Sequence, residues 1–139
     1  MRYKRKGKSR NAKQVPRHKM FYFPITARLQ RLYASPATAA HMRWHHEQNR
    51  EDGVMRHCSD SEAWKHVNRT YPDFAADPRN VRLGLCTDGF QPFGQFGKQY
   101  SSWPVILTPY NLPPSMCLKE PYMFVTVVIP GPKKSQTET

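Results

Sequence analysis

Beyond Asp77-Pro78 the chain reads as extended, and this most limits what it can fold into. Three apolar runs of strand length follow, at 81–87, 103–108 and 122–129. The last contains Val125-Thr-Val-Val-Ile129, whose β-branched residues suit a pleated surface. Gly and Pro crowd the connections at 89–97 and 109–114, where they end strands and turn the chain. The prediction is a sheet of three antiparallel strands. Its last strand is apolar on both faces and needs cover on both, yet only a Pro130-Gly-Pro breaker and polar residues follow it.

The first run ends in an acid. Val81-Arg-Leu-Gly-Leu-Cys-Thr-Asp88 is followed at once by Gly89. A carboxylate at a strand end before a sharp turn is held at a fixed point. Hard divalent cations such as Mg2+ take carboxylate oxygens, and phosphoryl-transfer enzymes use them to bridge protein and phosphate. Asp88 is therefore a candidate metal ligand. Asp-Gly between apolar runs is also an ordinary hairpin turn, and in isolation the turn is the commoner use.

Charge narrows the partner. The chain has 139 residues, about one small domain, and a net charge of +12. Such a balance favours a polyanion, nucleic acid before a membrane surface. The excess is concentrated at the start: Arg2, Lys4, Arg5, Lys6, Lys8, Arg10 and Lys13 are the candidate nucleic-acid contacts, and no acid occurs among the first 19 residues. That block cannot bury enough apolar surface to fold alone, so residues 1–20 are predicted to be a disordered basic tail. It would neutralise phosphates or act as a nuclear import signal, supplying affinity and little sequence specificity. No apolar run approaches the roughly 20 residues of a membrane span, and no hydrophobic segment backs the basic start as a secretory signal would. Cys58, Cys86 and Cys117 are an odd, widely spaced set that suits a reduced compartment.

Residues 21–72 read as helical. Ile25, Leu29 and Leu32 recur at helical spacing. Ser35-Pro36 reads as an N-cap with proline at the first position of a second helix, over 36–49, and the two make a helical hairpin. Ser59 and Glu62 have capping-box spacing for a third helix ending near Thr70. Its Trp64 is expected to be buried against a neighbouring strand rather than stacked on a base. His41 and His45 are four apart and would share a helix face, with His46, His57 and Cys58 nearby. Without a paired-cysteine motif or an intervening glutamate they read as ordinary histidines on a basic helix, and no metal is assigned to them.

Several motifs agree at once with one family. Tyr22-Phe-Pro-Ile-Thr-Ala-Arg-Leu-Gln-Arg-Leu-Tyr33, Met42-Arg-Trp-His45, Asp60-Ser-Glu-Ala-Trp-Lys65, the run from Phe74 to Thr87-Asp88-Gly89-Phe90, Tyr110-Asn-Leu-Pro-Pro114 and Pro130-Gly-Pro-Lys133 together resemble the En/Spm-like (CACTA) transposases of plants. The resemblance runs in register along nearly the whole chain.

That resemblance implies an α+β chain: a basic tail and helices, then, over 73–134, the start of an RNase H-like core of the DDE type, and a polar tail at 135–139. It makes Asp88 the first metal-binding catalytic acid, with Mg2+ as the cofactor of the intact family. Such ions would activate a water or a DNA 3′-hydroxyl and stabilise the leaving oxygen. The substrate would be the terminal repeats of a DNA transposon, and the compartment the nucleus. In the family a paired-cysteine element lies upstream of Arg2-Tyr3-Lys4, and the other two acids lie downstream of Pro130-Gly-Pro-Lys133. The expectation is therefore a transposase fragment, inactive alone, whose acid-bearing strand has an open edge and invites self-association. The alternative is a non-catalytic basic DNA-binding protein derived from a transposon.

Overall fold

A computed structural model of the chain describes residues 3–5, 14–16, 19–92 and 101–131. Helices and strands both occur, so the chain is α+β. The main sheet has four strands in the order β3-β6-β5-β4: β3 (Phe21–Tyr22), β4 (Leu83–Thr87), β5 (Ser102–Pro109) and β6 (Phe124–Pro130). This corrects the predicted count of three. The added strand is the aromatic Phe21–Tyr22 pair, assigned from sequence to the helical region; it lies antiparallel on β6, with Phe21 opposite Val128 and Tyr22 opposite Val127. Two residues carry too little periodicity to reveal a strand. Within the basic tail, Tyr3–Arg5 (β1) pairs antiparallel with Gln14–Pro16 (β2), where disorder was expected.

The chain divides into two compact units, one made of Met1–Phe23, Thr87–Val105 and Val125–Thr139, the other of Pro24–Cys86 and Ile106–Phe124. The second, helical unit holds the core. Leu32, Met42, Leu112, Cys117 and Phe124 are buried together, with Ile25, Leu29, Tyr33 and Met116 packed against them. Ile25, Leu29 and Leu32 reach it because α1 (Thr26–Ala34) repeats apolar residues three and four apart. It stops where Ser35 turns extended ahead of Pro36, which disfavours a helical residue before it.

The predicted single helix over 36–49 is instead three pieces: α2 (Pro36–Ala39), a 3-10 turn (His41–Arg43) and α3 (Trp44–Glu47). The tightened turn changes the facing of the side chains. Met42 goes fully into the core, an apolar side chain worth about 1.5–3 kcal/mol when buried. His45 is buried while His41 stays exposed, so the two do not share the face that an unbroken helix would give them.

The cap of α4 (Glu62–Thr70) also differs from expectation. Ser61, not Ser59, accepts the first-turn amide, from Trp64. Ser59 is fully buried; its hydroxyl accepts from Gln48 Nε2 at 2.6 Å and lies 3.0 Å from His57 Nδ1. The capping box belongs one step earlier, to His57 and Asp60 around the 3-10 turn Cys58–Asp60. A second short helix, α5 (Pro72–Ala76), follows α4, and α6 (Pro114–Cys117) follows β5. The predicted strand over 122–129 starts later, because Glu120–Tyr122 forms a 3-10 turn before β6.

In the first unit the pairing is closed by short hydrogen bonds. Phe23 N donates to Thr126 O at 2.7 Å, Thr126 Oγ1 returns a bond to Phe23 O at 3.0 Å, and Gly131 N donates to Ser101 O at 2.6 Å. Phe90 and Ser102 exchange both backbone bonds as an isolated antiparallel bridge. Exposure alternates along these strands, with Ser102 and Thr126 buried and Trp103, Val125 and Ile129 exposed. One face of β6 thus lacks the cover that its apolar residues call for.

Candidate active site at the end of strand β4

Within the helical unit the approach to β4 is tightly held. Arg82, just before the strand, lays its guanidinium 4.1 Å over the Trp64 ring and 5.6 Å from that of Phe74. It also donates to Asn68 Oδ1 at 2.5 Å and to Trp64 O at 3.4 Å. Desolvation by burial pulls its pKa down from the ordinary arginine value, with Arg50 adding to the effect. Trp64 is thus buried as predicted, and its partner is the residue that leads into β4.

Asn111 fixes the same segment from the other side. Fully buried, it accepts from Arg82 N at 2.8 Å and donates to Asn80 O at 3.0 Å and Pro78 O at 3.5 Å. Its own carbonyl accepts from His45 N at 3.3 Å, and Tyr110 N donates to Arg82 O at 2.8 Å. One side chain therefore satisfies three backbone groups that would otherwise be costly to bury. Sequence reasoning missed this role; the only signal was a single asparagine inside a proline-rich turn.

Two glycines let aromatic rings lie on β4 and its continuation. A Cβ at Gly84 would run into the Tyr110 ring, and one at Gly89 would come within 2.7 Å of the Trp103 indole. The first Gly serves close packing within the helical unit. The second, between Asp88 and Phe90, serves the other unit.

Asp88 follows the last residue of β4 and is exposed. Its Oδ1 accepts from Gly89 N at 2.7 Å, so the acid is held by the amide that follows it. The Asp-Gly turn does not form: past Gly89 the chain runs on to the Phe90–Ser102 bridge, and the Asp88 carboxylate is exposed. Mg2+ takes six oxygens in a near-octahedral shell and keeps several waters. Asp88 fits as one such oxygen donor. Among the described residues no three His, Cys, Asp or Glu side chains gather as a metal site, so the described residues alone do not complete one.

The basic contacts predicted from sequence fall mostly outside the described residues: Arg2, Lys6, Lys8, Arg10 and Lys13 do, while Lys4 and Arg5 lie in β1. The unit assignment still partitions the charge. Twelve of the Lys and Arg belong to the unit that contains Asp88, and its acids are Asp88 and Glu138 alone. The helical unit has ten Lys and Arg against eight acids. Several of these pair locally, as in Arg79–Asp77 at 2.7 Å, Lys65–Glu62 at 3.0 Å and Arg43–Glu47 at 3.3 Å.

The histidine cluster does not make a second site. His57 is buried, with edge-on rings at Trp44 and Tyr110, and burial lowers its pKa. Its neighbour Cys58 has its thiol pushed up to about 11, chiefly by burial, so it is held as an inert thiol rather than a nucleophile. Cys58, Cys86 and Cys117 are all free. Among the described residues no helix is long and apolar enough to cross a membrane.

Comparison with known proteins gives the family. The model of the transposase family tnp2 matches residues 52–138, a span that contains Arg82, Asp88, Trp103 and Asn111. No curated protein and no solved structure matches the chain. On that match over more than half of its length, the chain belongs to the transposase family tnp2.

Proposed function

We propose that this chain carries the first metal-binding acid of a DNA-transposing nuclease of the DDE type, in the opening strands of an RNase H-like sheet, and that it acts in the nucleus on the terminal repeats of a transposon. One observation carries the reading: the exposed acid at the end of β4 belongs to a unit whose sequence holds twelve Lys and Arg and only two acids. A carboxylate in so cationic a unit is suited to meeting a divalent ion on a phosphate backbone. Asp88 would supply one oxygen to Mg2+, which when bound polarises a phosphoryl oxygen and lowers the pKa of a coordinated water. The chain's own contribution is to hold that oxygen in place through the Gly89 amide. On this reading one acid alone holds Mg2+ poorly and does not order the reaction, so the chain by itself is inactive.

The second reading, a non-catalytic DNA-binding protein, is favoured by the same charge partition if Asp88 serves only the Gly89 amide. Mn2+, a paramagnetic stand-in for Mg2+, separates the two. On the purified chain bound to a short duplex, Mn2+ is expected to broaden the amide signals of residues 87–90, and Asp88→Ala to abolish the broadening. No local broadening at those residues would leave the non-catalytic reading standing. Plasmid nicking that Asp88→Ala abolishes would overturn the claim of inactivity.

A further inference from the structure

The unit that contains Asp88 presents an uncovered sheet face. Tyr22 lies opposite Val127, and residues directly opposite in an antiparallel pair share a face. The Gly131–Ser101 bond sets the neighbouring register, which puts Trp103 opposite Ile129 and, by the two-residue period, on the same face as Val127 and Tyr22. Exposure agrees along the two inner strands: Trp103 and Ile129 are 45% and 43% exposed, while Ser102 and Thr126, on the reverse, are 7% and 6% exposed; at the edges both faces are open, with Tyr22 62% exposed on this face and Phe21 and Phe90 exposed on the other. The indole of Trp103 lies over Gly89, whose missing side chain gives it a flat seat. A braced ring loses little freedom when something stacks on its open side.

We propose that this face is a stacking platform for the bases of single-stranded nucleic acid, with Trp103 and Tyr22 as its two rings. Charge complementarity selects the occupant. A second copy would bring another unit of the same strong positive charge against this one, and an apolar peptide would leave that charge unanswered. A single strand supplies both needs, because its phosphates meet the cations while its unpaired bases meet the rings. Duplex DNA satisfies the charge alone, since its bases are stacked on each other. By the same register the two residues stand two strand spacings apart across β6 and two residues apart along it, about 12 Å between backbones, a separation that an extended single strand spans in about two nucleotides. The platform shares with the function proposed above only the class of partner and needs no metal ion.

The test uses the full chain in EDTA at 150 mM NaCl, so that its outcome is independent of any ion at Asp88. A 20-nucleotide oligo-dT and a 20-base-pair duplex are titrated while tryptophan emission and the anisotropy of a labelled strand are followed. Oligo-dT is expected to quench the emission, Trp103→Ala and Tyr22→Ala each to weaken oligo-dT binding about tenfold, and both to change duplex binding less than twofold. Trp103→Phe, which keeps a ring on Gly89, is expected to retain most of the affinity and serves as the folding control. Equal losses on both nucleic acids, or oligo-dT affinity unchanged in both alanine variants, would overturn the proposal. So would a dimer that Trp103→Ala dissociates and oligo-dT does not, since the face would then be an interface between copies.

Discussion

His45 should make the helical unit acid-sensitive well above the pH at which carboxylates titrate. Its ring is buried, tilted against Trp64 with centroids 5.4 Å apart, and its Nδ1 has no hydrogen-bond partner. Desolvation by burial is the main cause that lowers its pKa from 6.5 to about 4; a backbone hydrogen bond at Asn111 opposes this, and Arg82, His46 and Arg50 add to the lowering. The folded state therefore binds this proton less readily than the unfolded chain does. Stability is complete above the unfolded value of 6.5, falls as the pH drops below it, and levels off beneath about 4. With those two values the loss is about 2 kcal/mol at pH 5 and about 3 kcal/mol at pH 4, against totals of roughly 5–15 kcal/mol for a typical domain.

Urea unfolding of the wild type and of His45→Phe between pH 7.5 and 4 isolates this residue. Phenylalanine keeps a ring against Trp64, has no proton to gain and leaves no orphaned nitrogen. His57, whose pKa burial also lowers, acts in the same direction but in both proteins, so it cancels in the difference. The wild type is expected to lose about 2 kcal/mol relative to the variant by pH 5, following the linkage above. Parallel curves for the two proteins, or an NMR titration of His45 with a midpoint above 6, would refute the claim that burial keeps this imidazole neutral.

Three further outcomes follow from the packing. Asn111→Ala leaves Arg82 N, Asn80 O and Pro78 O without their side-chain partner and should cost about 3 kcal/mol or more, read as a shift in the urea midpoint. Gly84→Ala drives a methyl into the Tyr110 ring and should destabilise by about 1–3 kcal/mol, a loss that Tyr110→Ala in the same chain should partly recover. Ser61→Ala removes the α4 cap and should cost about 1 kcal/mol in thermal or urea unfolding.

Legibility differed from residue to residue for physical reasons. α1 and the three long strands announce themselves because apolar spacing and β-branched runs are local properties that tertiary packing here did not override. Their ends were less legible. The helix read over 36–49 contains no Gly or Pro after Pro36, yet it breaks at residues 40–43, where a 3-10 turn brings Met42 into the core. The Ser59–Glu62 spacing matched a capping box, but Ser61 could serve equally, and burial of Ser59 against Gln48 and His57 decided between them. Asp88 was legible as an acid between a strand and a glycine. Asn111, Arg82 and the rings on Gly84 and Gly89 were not, because their partners lie far away in the sequence.

What the sequence determined by itself is the class of the chain: α+β, strongly basic, with strand-length runs and an acid at the end of the first. These follow from residue type and near-neighbour spacing, which need no knowledge of the fold. Only the tertiary structure decided that Phe21–Tyr22 joins the sheet, that Asn111 ties down the approach to β4, and that Trp103 stays open to solvent while its neighbour Ser102 is buried. Those outcomes depend on which distant backbone groups need hydrogen-bond partners and which sheet face finds cover, and such terms are settled only when the whole chain is packed.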